Sequence, residues 1–407
     1  MNSQLPAKQK AVVLHPAPTR NIRLEVVDVP KIEGPDDAIV RITLAGLCGS
    51  DLHAYRGLEP FNNPYVMGHE LVGHVVALGT SFAPDAPEGR PELYRTLRLG
   101  DKVISPFTTS CMECEYCMDG FSSRCVYSRL FGSPLQPGAQ AQYIRIPKAG
   151  GNLTRIRPDS EIGSIRDESL LLLADILPTG YHAANNGLKS RNIDHLRNRK
   201  PLLFAVVGLG PVGLCTVISA LNILNSLPRH ERPVSSSFLL VDTNASRRSN
   251  ALRILKPTFY GLKGLCDVVE ALDTQDATEW ARERGGMHIA CEVVGNNSAL
   301  QLAYDLIRPF GVISSVGVHN APQFPLSGDD LYNKNVSLTF GRCPARSLFD
   351  EACQVLLNHQ ELFGVGEGRL IERVISIGGE DGEQSVQEAY HHFDQGISGK
   401  VILDLWN

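Results

Sequence analysis

The chain has 407 residues, 20% of them charged, and a formal net charge of −5. This length exceeds what one hydrophobic core usually supports, which predicts two domains. No block of like charges resembles a nucleic-acid footprint or a polybasic membrane patch, so we expect a small-molecule partner and neither nucleic acid nor membrane.

The first residues, "MNSQLPAKQKAVVLHP", lack the apolar core and cleavage site of a signal peptide. We therefore expect a cytoplasmic protein whose ten cysteines are free thiols or metal ligands rather than disulfides. The uncharged stretch 201–224 is long enough to span a bilayer. Its glycines and proline interrupt it, however, and predict a strand, a turn and a buried helix instead.

The predicted elements change in character along the chain. Residues 8–150 read as short strands without intervening helices, as in "DAIVRITLAGLC", which predicts a β-rich, barrel-like unit. From about residue 178, apolar strands such as "LLFAVVG" and "MHIACEVVG" alternate with helix-length segments, which predicts a parallel sheet covered on both faces. After about residue 340 we expect one helix and a closing strand, "KVILDLW", that rejoins the first unit. Two stretches rich in Pro, Ser and charge, 81–98 and 225–237, are predicted surface insertions.

Four cysteines share the run "CMECEYCMDGFSSRC", namely Cys111, Cys114, Cys117 and Cys125. Four thiolates within so short a segment can close around one tetrahedral ion, which predicts a structural zinc site. An iron–sulfur cluster is the competing interpretation, but in the bacterial ferredoxin run the fourth cysteine follows after three residues and precedes proline. Here seven residues intervene and Val126 follows. Unmetallated thiols are the remaining alternative.

A glycine-rich turn, "VVGLGPVGL", follows a predicted strand and opens a predicted helix, and its residues Gly208, Gly210, Pro211, Val212 and Gly213 are candidate cofactor-binding residues. Such glycines permit a tight turn, close approach of backbone to a pyrophosphate, and close packing of helix on strand. The helix N-terminus attracts negative charge. The turn therefore predicts dinucleotide binding, and a purely structural turn is the alternative.

Asp242 ends the next predicted strand, "SFLLVD", 34 positions after Gly208. A carboxylate there accepts hydrogen bonds from ribose hydroxyls and repels a 2′-phosphate, so NAD is favoured over NADP. The usual spacing is about 20 residues, and the insertion at 225–237 accounts for most of the excess. Arg247 is a further candidate cofactor contact; with Arg248 it weakens the preference for NAD. A role for Asp242 in capping the next helix is the alternative.

The stretches "CGSDLHAYRG" and "GHELVGHVV" contain three candidate residues of a metal site, namely Cys48, His69 and Glu70. A thiolate and an imidazole from separate loops suit a catalytic zinc ion, which keeps one position open for water or substrate. A nucleophilic Cys/His pair is the alternative, but it explains neither the four-cysteine cluster nor the dinucleotide turn.

The chain resembles the zinc-dependent medium-chain alcohol dehydrogenases, and within them the formaldehyde dehydrogenase-like branch. The resemblance rests on the motifs above and on "LLLADILPTGYHAA" and "YNKNVSLTFGRCPARS". It implies an α/β protein with a GroES-like β-rich catalytic domain at 1–177 and 341–407, which includes a structural-zinc lobe at about 108–130, and a doubly wound Rossmann domain at 178–340. It also implies NAD, two zinc ions per chain, an alcohol or aldehyde substrate, and a homodimer or homotetramer.

The resemblance further assigns roles around the catalytic zinc. It implies that Asp175 is the third protein ligand beside Cys48 and His69, with a helix-capping role as the alternative. It places Glu70 near the metal, either as a ligand or behind one, and Asp51 where a carboxylate orients the ligating imidazole.

The resemblance also implies that Ser50 and His53 relay a proton from the alcohol to solvent. A solvent-facing loop role is the alternative for His53. Thr179 lies where the family contacts the nicotinamide, and Lys400 where a basic residue often meets the cofactor. The alternative for Lys400 is an exposed lysine on an edge strand.

The implied function is hydride transfer between a nicotinamide cofactor and an alcohol or aldehyde. One alternative is an NADPH-linked carbonyl reductase of a biosynthetic step. Another is a cofactor-binding protein without turnover, against which the complete set of site residues argues.

Overall fold

The computed structural model describes residues 5–196, 200–261, 265–397 and 399–407. The strands, in chain order, are β1 (Lys8–Leu14), β2 (Ile22–Asp28), β3 (Ala38–Leu47), β4 (Tyr65–Val66), β5 (Leu71–Leu78), β6 (Lys102–Ser105), β7 (Tyr143–Ile146), β8 (Thr154–Ile156), β9 (Leu202–Val207), β10 (Ser236–Val241), β11 (Cys266–Leu272), β12 (Met287–Glu292), β13 (Ile307–Ser315), β14 (Ser337–Phe340), β15 (Ile371–Ser376) and β16 (Lys400–Asp404). The α-helices are α1 (Asp51–Tyr55), α2 (Leu93–Thr96), α3 (Glu115–Met118), α4 (Ala149–Asn152), α5 (Asp167–Leu170), α6 (Ile176–Leu188), α7 (Pro211–Ser226), α8 (Ala245–Gly261), α9 (Thr274–Glu283), α10 (Asn297–Leu306), α11 (Gly328–Lys334), α12 (Phe349–Asn358) and α13 (Gly382–Asp394).

The second half of the chain forms a six-stranded parallel sheet in the order β11-β10-β9-β12-β13-β14. Numbered from β9, this is the order 3-2-1-4-5-6 of the Rossmann fold, whose direction of progression reverses between the first and fourth strands. Strand β9, "LLFAVV", is almost wholly buried because helices cover both faces of the sheet. The predicted doubly wound sheet is confirmed.

The first part of the chain is β-rich, as predicted. One sheet has the order β15-β16-β3-β5-β6-β8, with β7 also paired to β3, and a smaller sheet has the order β2-β1-β4. Strand β16 pairs with β3, so the end of the chain rejoins the first unit. Helix α6 straddles the predicted boundary at 177/178, and the domain boundaries stay predictions.

Most of the segment 81–98 is exposed or half-buried, as predicted for a surface insertion, but it also contributes residues to the interior. Tyr94 and Leu97 are fully buried, and the Tyr94 ring packs so closely on Gly150 that a Cβ there would lie 2.5 Å from it. Arg90 stacks over that ring at 3.7 Å and pairs with the Asp36 carboxylate at 3.1 Å. A buried tyrosine inside a polar stretch therefore packs this segment against α4, whereas residues 225–235 are exposed or half-buried.

Among the described residues, no helix is both long and apolar enough to cross a membrane.

Candidate metal centres and dinucleotide turn

The first candidate metal centre lies where β3 ends and β5 begins. These strands are antiparallel neighbours, and Ala45 on β3 pairs with Leu71 on β5. Cys48, just beyond the end of β3, and His69, just before β5, are therefore brought side by side. Asp175 reaches the same place from the residue that precedes α6, and its side chain makes no capping hydrogen bond to that helix.

The three side chains approach each other closely. Asp175 Oδ2 lies 3.3 Å from Cys48 Sγ and 3.3 Å from His69 Nε2. All three residues are buried, and one ligand atom from each lies within 4.8 Å of the others and of a Glu70 carboxylate oxygen. The structure thus brings the predicted ligand set together, although their role as zinc ligands stays a prediction.

Asp51 lies behind this group, as the resemblance implied. Its Oδ1 is 3.2 Å from His69 Nδ1, and its Oδ2 accepts a hydrogen bond from the Cys48 backbone N–H at 3.0 Å. One buried carboxylate therefore orients the imidazole and holds the loop that carries the thiol.

The electrostatics of the cluster favour a bound cation. Burial raises the pKa of the Cys48 thiol, and the nearby Asp175 carboxylate raises it further. Burial lowers the pKa of His69, but the Asp51 and Asp175 carboxylates outweigh it and raise that pKa well above its usual value. Burial raises the pKa of Asp175, but His69 outweighs it and holds that pKa below its usual value. A buried thiol beside a carboxylate loses its proton readily only when further positive charge is close by.

Glu70 and Lys400 form a fully buried ion pair beside this cluster. Lys400 Nζ also donates to the Leu47 carbonyl at 3.1 Å. Burial lowers the pKa of Lys400, but the Glu70 carboxylate outweighs burial and raises it. The alternative of an exposed lysine on an edge strand is wrong, because β16 lies between β15 and β3 and the side chain is buried. Cofactor contact by Lys400 stays a prediction, and its ammonium group is already paired with Glu70.

Glu70 has one oxygen left over. Its Oε1 is buried without a hydrogen-bond partner, whereas Oε2 pairs with Lys400. An unpaired buried carboxylate oxygen beside Cys48 and His69 is a fourth donor atom for a cation, so both roles of Glu70 left open by the sequence fit this position.

Ser50 and His53 flank the cluster on its solvent side. Ser50 Oγ lies 3.5 Å from Cys48 Sγ and 3.3 Å from His69 Nε2. The His53 ring is half-buried, which lowers its pKa. Asn320, which sequence reasoning missed, reaches across from the loop after β13: its Nδ2 donates to Glu59 Oε1 at 2.9 Å and lies 3.5 Å from His53 Nδ1. No local motif marks Asn320, since only the folded chain brings it to α1.

Thr179 lies one turn into α6. Its Oγ1 donates to Asp175 Oδ1 at 2.9 Å, so the hydroxyl steadies a candidate ligand. The predicted contact of Thr179 with the nicotinamide stays a prediction.

The second candidate metal centre is the four-cysteine lobe. One sulfur from each of its four thiols lies within 4.8 Å of the others, and all four are free of disulfides. Backbone N–H groups point at the sulfurs: those of Glu113 and Cys114 donate to Cys111 Sγ at 3.4 and 3.3 Å, and that of Tyr127 donates to Cys125 Sγ at 3.4 Å. Such donors stabilise thiolates, the form that binds metal.

The glycine-rich turn joins β9 to α7 at the carboxyl edge of the parallel sheet, where the strand order reverses. Gly208 has φ +101, which favours glycine, and a Cβ on Gly213 would lie 1.9 Å from the Gly208 carbonyl oxygen. A Cβ on Gly210 would meet nothing within 4 Å, which leaves space beside the turn. Pro211 and Val212 open α7, so the helix N-terminus faces that space.

Asp242 braces this turn. Its Oδ2 accepts the Leu209 N–H at 2.9 Å and its Oδ1 accepts the Asn244 N–H at 2.8 Å. Asn244, not Asp242, caps α8, because the Asn244 Oδ1 accepts the N–H groups of Ser246 and Arg247. The capping alternative for Asp242 is therefore wrong. The Arg247 guanidinium lies 3.9 Å from the Asp242 carboxylate, and contact of either residue with a cofactor stays a prediction.

Comparison with known proteins agrees with this arrangement. Residues 34–156 match the alcohol dehydrogenase GroES-like domain. The zinc-type alcohol dehydrogenase B of Aspergillus flavus is 40% identical over 88% of this chain and 74% of that protein. The medium chain reductase/dehydrogenase ucsI of Acremonium sp is 37% identical over 80% of this chain and 99% of that protein. The solved structure of alcohol dehydrogenase TADH from Thermus sp. ATN1 is similar with a TM-score of 0.73 at 27% identity, covering 97% of this chain and 99% of that one.

These similarities extend over both units of the fold, and they confirm the resemblance found in the sequence. The protein is an enzyme that uses zinc and a nicotinamide cofactor to oxidise or reduce a small alcohol-type substrate. With its buried Cys48–His69–Asp175 group, its four-cysteine lobe and its glycine-rich turn on a parallel sheet, the chain belongs to the zinc-dependent medium-chain alcohol dehydrogenases.

Proposed function

We propose that the enzyme is an NAD-linked alcohol or aldehyde dehydrogenase with two zinc ions per chain. Cys48, His69 and Asp175 would hold the catalytic ion, and the four cysteines of the lobe would hold the structural one. This proposal is supported by two separate sets of metal-ligating atoms, and within each set the atoms lie within 4.8 Å of one another.

The donor set fits zinc. With Zn–S near 2.3 Å and Zn–N near 2.0 Å, tetrahedral ligand atoms lie about 3.5 Å apart. Asp175 Oδ2 lies 3.3 Å from both Cys48 Sγ and His69 Nε2. In the lobe, Cys125 Sγ lies 3.5 Å from Cys111 Sγ and 3.9 Å from Cys114 Sγ. Three protein ligands at the first site leave a position for substrate, whereas four thiolates close the second.

Cys48, His69 and Asp175 would hold the zinc ion, which would polarise a substrate oxygen, and the glycine-rich turn would hold the nicotinamide cofactor, which would supply the hydride chemistry. The chain itself must move the alcohol proton. Ser50 Oγ borders Cys48 Sγ and His69 Nε2, so its hydroxyl is suited to accept that proton. His53 follows one turn later in α1 and is half-buried, so it opens toward solvent. Burial lowers the pKa of His53, which favours the neutral imidazole, the form that can accept a proton passed outward along the relay.

The preference for NAD rests on Asp242. Its buried carboxylate lies beside the glycine-rich turn, where negative charge disfavours a 2′-phosphate. Arg247 supports the alternative, an NADPH-linked reductase, because its side chain is 37% exposed near the same carboxylate. We further propose a cytoplasmic homodimer or homotetramer, as the family resemblance implies.

Initial rates of alcohol oxidation test the proposal. On zinc-loaded enzyme we expect kcat/KM with NAD to exceed that with NADP by about tenfold or more. Ser50→Ala should lower kcat by about 10²-fold or more while leaving zinc content unchanged, because it removes only the proton path. Ser164→Ala, at an exposed serine that hydrogen-bonds Glu161, is the matched control. Equal kcat values for Ser50→Ala and Ser164→Ala would refute the relay, and a preference for NADP would refute the role of Asp242.

A further inference from the structure

A cavity of about 300 Å³ opens at the edge of the parallel sheet opposite the glycine-rich turn, where β12 and β13 begin. Its polar lining includes His195, His288 and Arg308, and its apolar lining includes Ile193, Pro309 and Phe310. The Phe310 side chain is 62% exposed, and Asn192 Nδ2 donates to its carbonyl at 3.2 Å. Because the catalytic groups lie at the other end of the strands, this cavity is separate from the proposed active site.

His288 has a hydrogen-bonding conflict in this cavity. The Leu203 backbone N–H donates to His288 Nδ1 at 3.0 Å, and Arg308 Nη1 lies 3.0 Å from His288 Nε2. A neutral imidazole accepts at one ring nitrogen and carries hydrogen on the other. The Leu203 N–H is fixed by the sheet, so Nδ1 is the acceptor and Nε2 carries hydrogen. Two donors, His288 Nε2–H and the Arg308 guanidinium, then face each other, and no acceptor lies between them among the described residues.

The charge around this pair is positive. Arg308 contributes a guanidinium group to the lining, and among the described residues that line the cavity there is no aspartate or glutamate. Burial lowers the pKa of His288 to about 4, and Arg308, His195 and Lys200 add to that effect through their charge. A further cation would be repelled by the guanidinium, whereas an anion would satisfy both donors and neutralise the guanidinium.

We propose that this cavity is a second ligand site, which binds the oxyanion of a small organic acid or phosphate monoester between His288 and Arg308. The oxyanion accepts from His288 Nε2–H and from the guanidinium. Pro309 and Phe310 offer the organic part of the ligand an apolar wall. The site does not depend on the proposed catalytic mechanism, because it shares no residue with the metal centres or the dinucleotide turn.

Thermal unfolding of the zinc-loaded enzyme with inorganic phosphate or benzoate tests the site, with chloride at equal ionic strength as the reference. A ligand that binds only the folded protein raises Tm in a saturable manner. We expect one or both oxyanions to do so in the unmodified enzyme, and the stronger of the two identifies the headgroup. Arg308→Gln should weaken that response about tenfold or more. Its amide oxygen can accept from His288, so the variant should fold.

Arg284→Gln is the matched control, because Arg284 is an exposed arginine that stacks on Trp280 in the same domain. It should keep the full response. Phosphate bound at the glycine-rich turn would raise Tm equally in all three proteins and so would not mimic the predicted difference.

A second measurement follows the His288 ring directly. Its Cε1–H resonance, assigned by comparison with His288→Gln, should shift with phosphate or benzoate and not with chloride. An equal Tm response in Arg308→Gln and Arg284→Gln, or a His288 resonance that neither oxyanion moves, would overturn the proposal.

Discussion

Asp51→Asn should weaken zinc binding at the catalytic site without touching a ligand. Asp51 receives two hydrogen bonds at once, one oxygen facing His69 Nδ1 at 3.2 Å and the other accepting the Cys48 N–H at 3.0 Å. An asparagine of the same shape keeps one acceptor and turns an NH₂ group toward the second donor. The side chain is 2% exposed, so water cannot replace the lost acceptor.

The size of the effect follows from this geometry. A hydrogen bond to a charged group contributes about 1.5–3 kcal/mol, and a mispaired buried donor adds a desolvation cost. Residues that orient metal ligands typically change metal affinity by about 10- to 100-fold. We therefore expect the zinc dissociation constant of the catalytic site to rise by about that factor, while the four-cysteine lobe is unchanged.

Competition with a chromogenic zinc chelator measures both sites in one titration. Asp51→Asn should release one zinc ion per chain at lower chelator concentration than the unmodified enzyme and retain the other. Asp28→Asn is the control, because Asp28 is 83% exposed and pairs with Lys8 on the surface. If Asp51→Asn and Asp28→Asn release zinc identically, Asp51 does not orient a zinc ligand and the reasoning fails.

Three further predictions test the turn, the buried ion pair and the pH dependence. Gly210→Ala should fold with normal stability but bind the cofactor at least about tenfold more weakly, whereas Gly213→Ala should lose about 1–3 kcal/mol of unfolding free energy by overpacking. Urea unfolding measures the stability of the two variants and cofactor titration measures their affinity. Equal stability of the two variants would contradict the turn geometry. Lys400→Met should lower the free energy of unfolding by about 3–5 kcal/mol, measured by urea unfolding, because it leaves Glu70 buried without its partner. The double variant Lys400→Met/Glu70→Gln should recover much of that stability. A double variant no more stable than Lys400→Met would refute the pairing. Burial lowers the pKa of His182 from 6.5 to about 4, so unfolding binds a proton between those pH values. The unfolding free energy should therefore fall by about 2.6 kcal/mol as the pH drops from 6.5 to 4. His182→Gln should remove that part of the pH dependence, and an unchanged slope would contradict the prediction.

The sequence was most informative where a motif carries its own geometry. Spacing alone brought the four cysteines of the lobe together, and the glycine pattern at 208–213 marked both the turn and the start of α7. Alternating strands and helices predicted the parallel sheet, because strands covered on both faces are continuously apolar.

Positions that depend on tertiary contact were harder to assign from sequence. Asp175 was available only through family resemblance, since an aspartate before a helix has no distinctive spacing. Lys400 read as an exposed or cofactor-facing lysine, yet the folded chain buries it against Glu70. Tyr94 was hidden in a polar stretch, and Asn320 reaches α1 from a loop more than 260 residues away in sequence. These contacts form between distant segments and leave no local pattern.

The most direct test of the account is the zinc content per chain, measured by elemental analysis together with NAD-linked alcohol oxidation. We predict two zinc ions in the unmodified enzyme. Cys48→Ala should retain one zinc ion and lose activity, because the closed four-cysteine site keeps its metal. One zinc ion in both proteins, or full activity in Cys48→Ala, would contradict a catalytic zinc held by Cys48, His69 and Asp175.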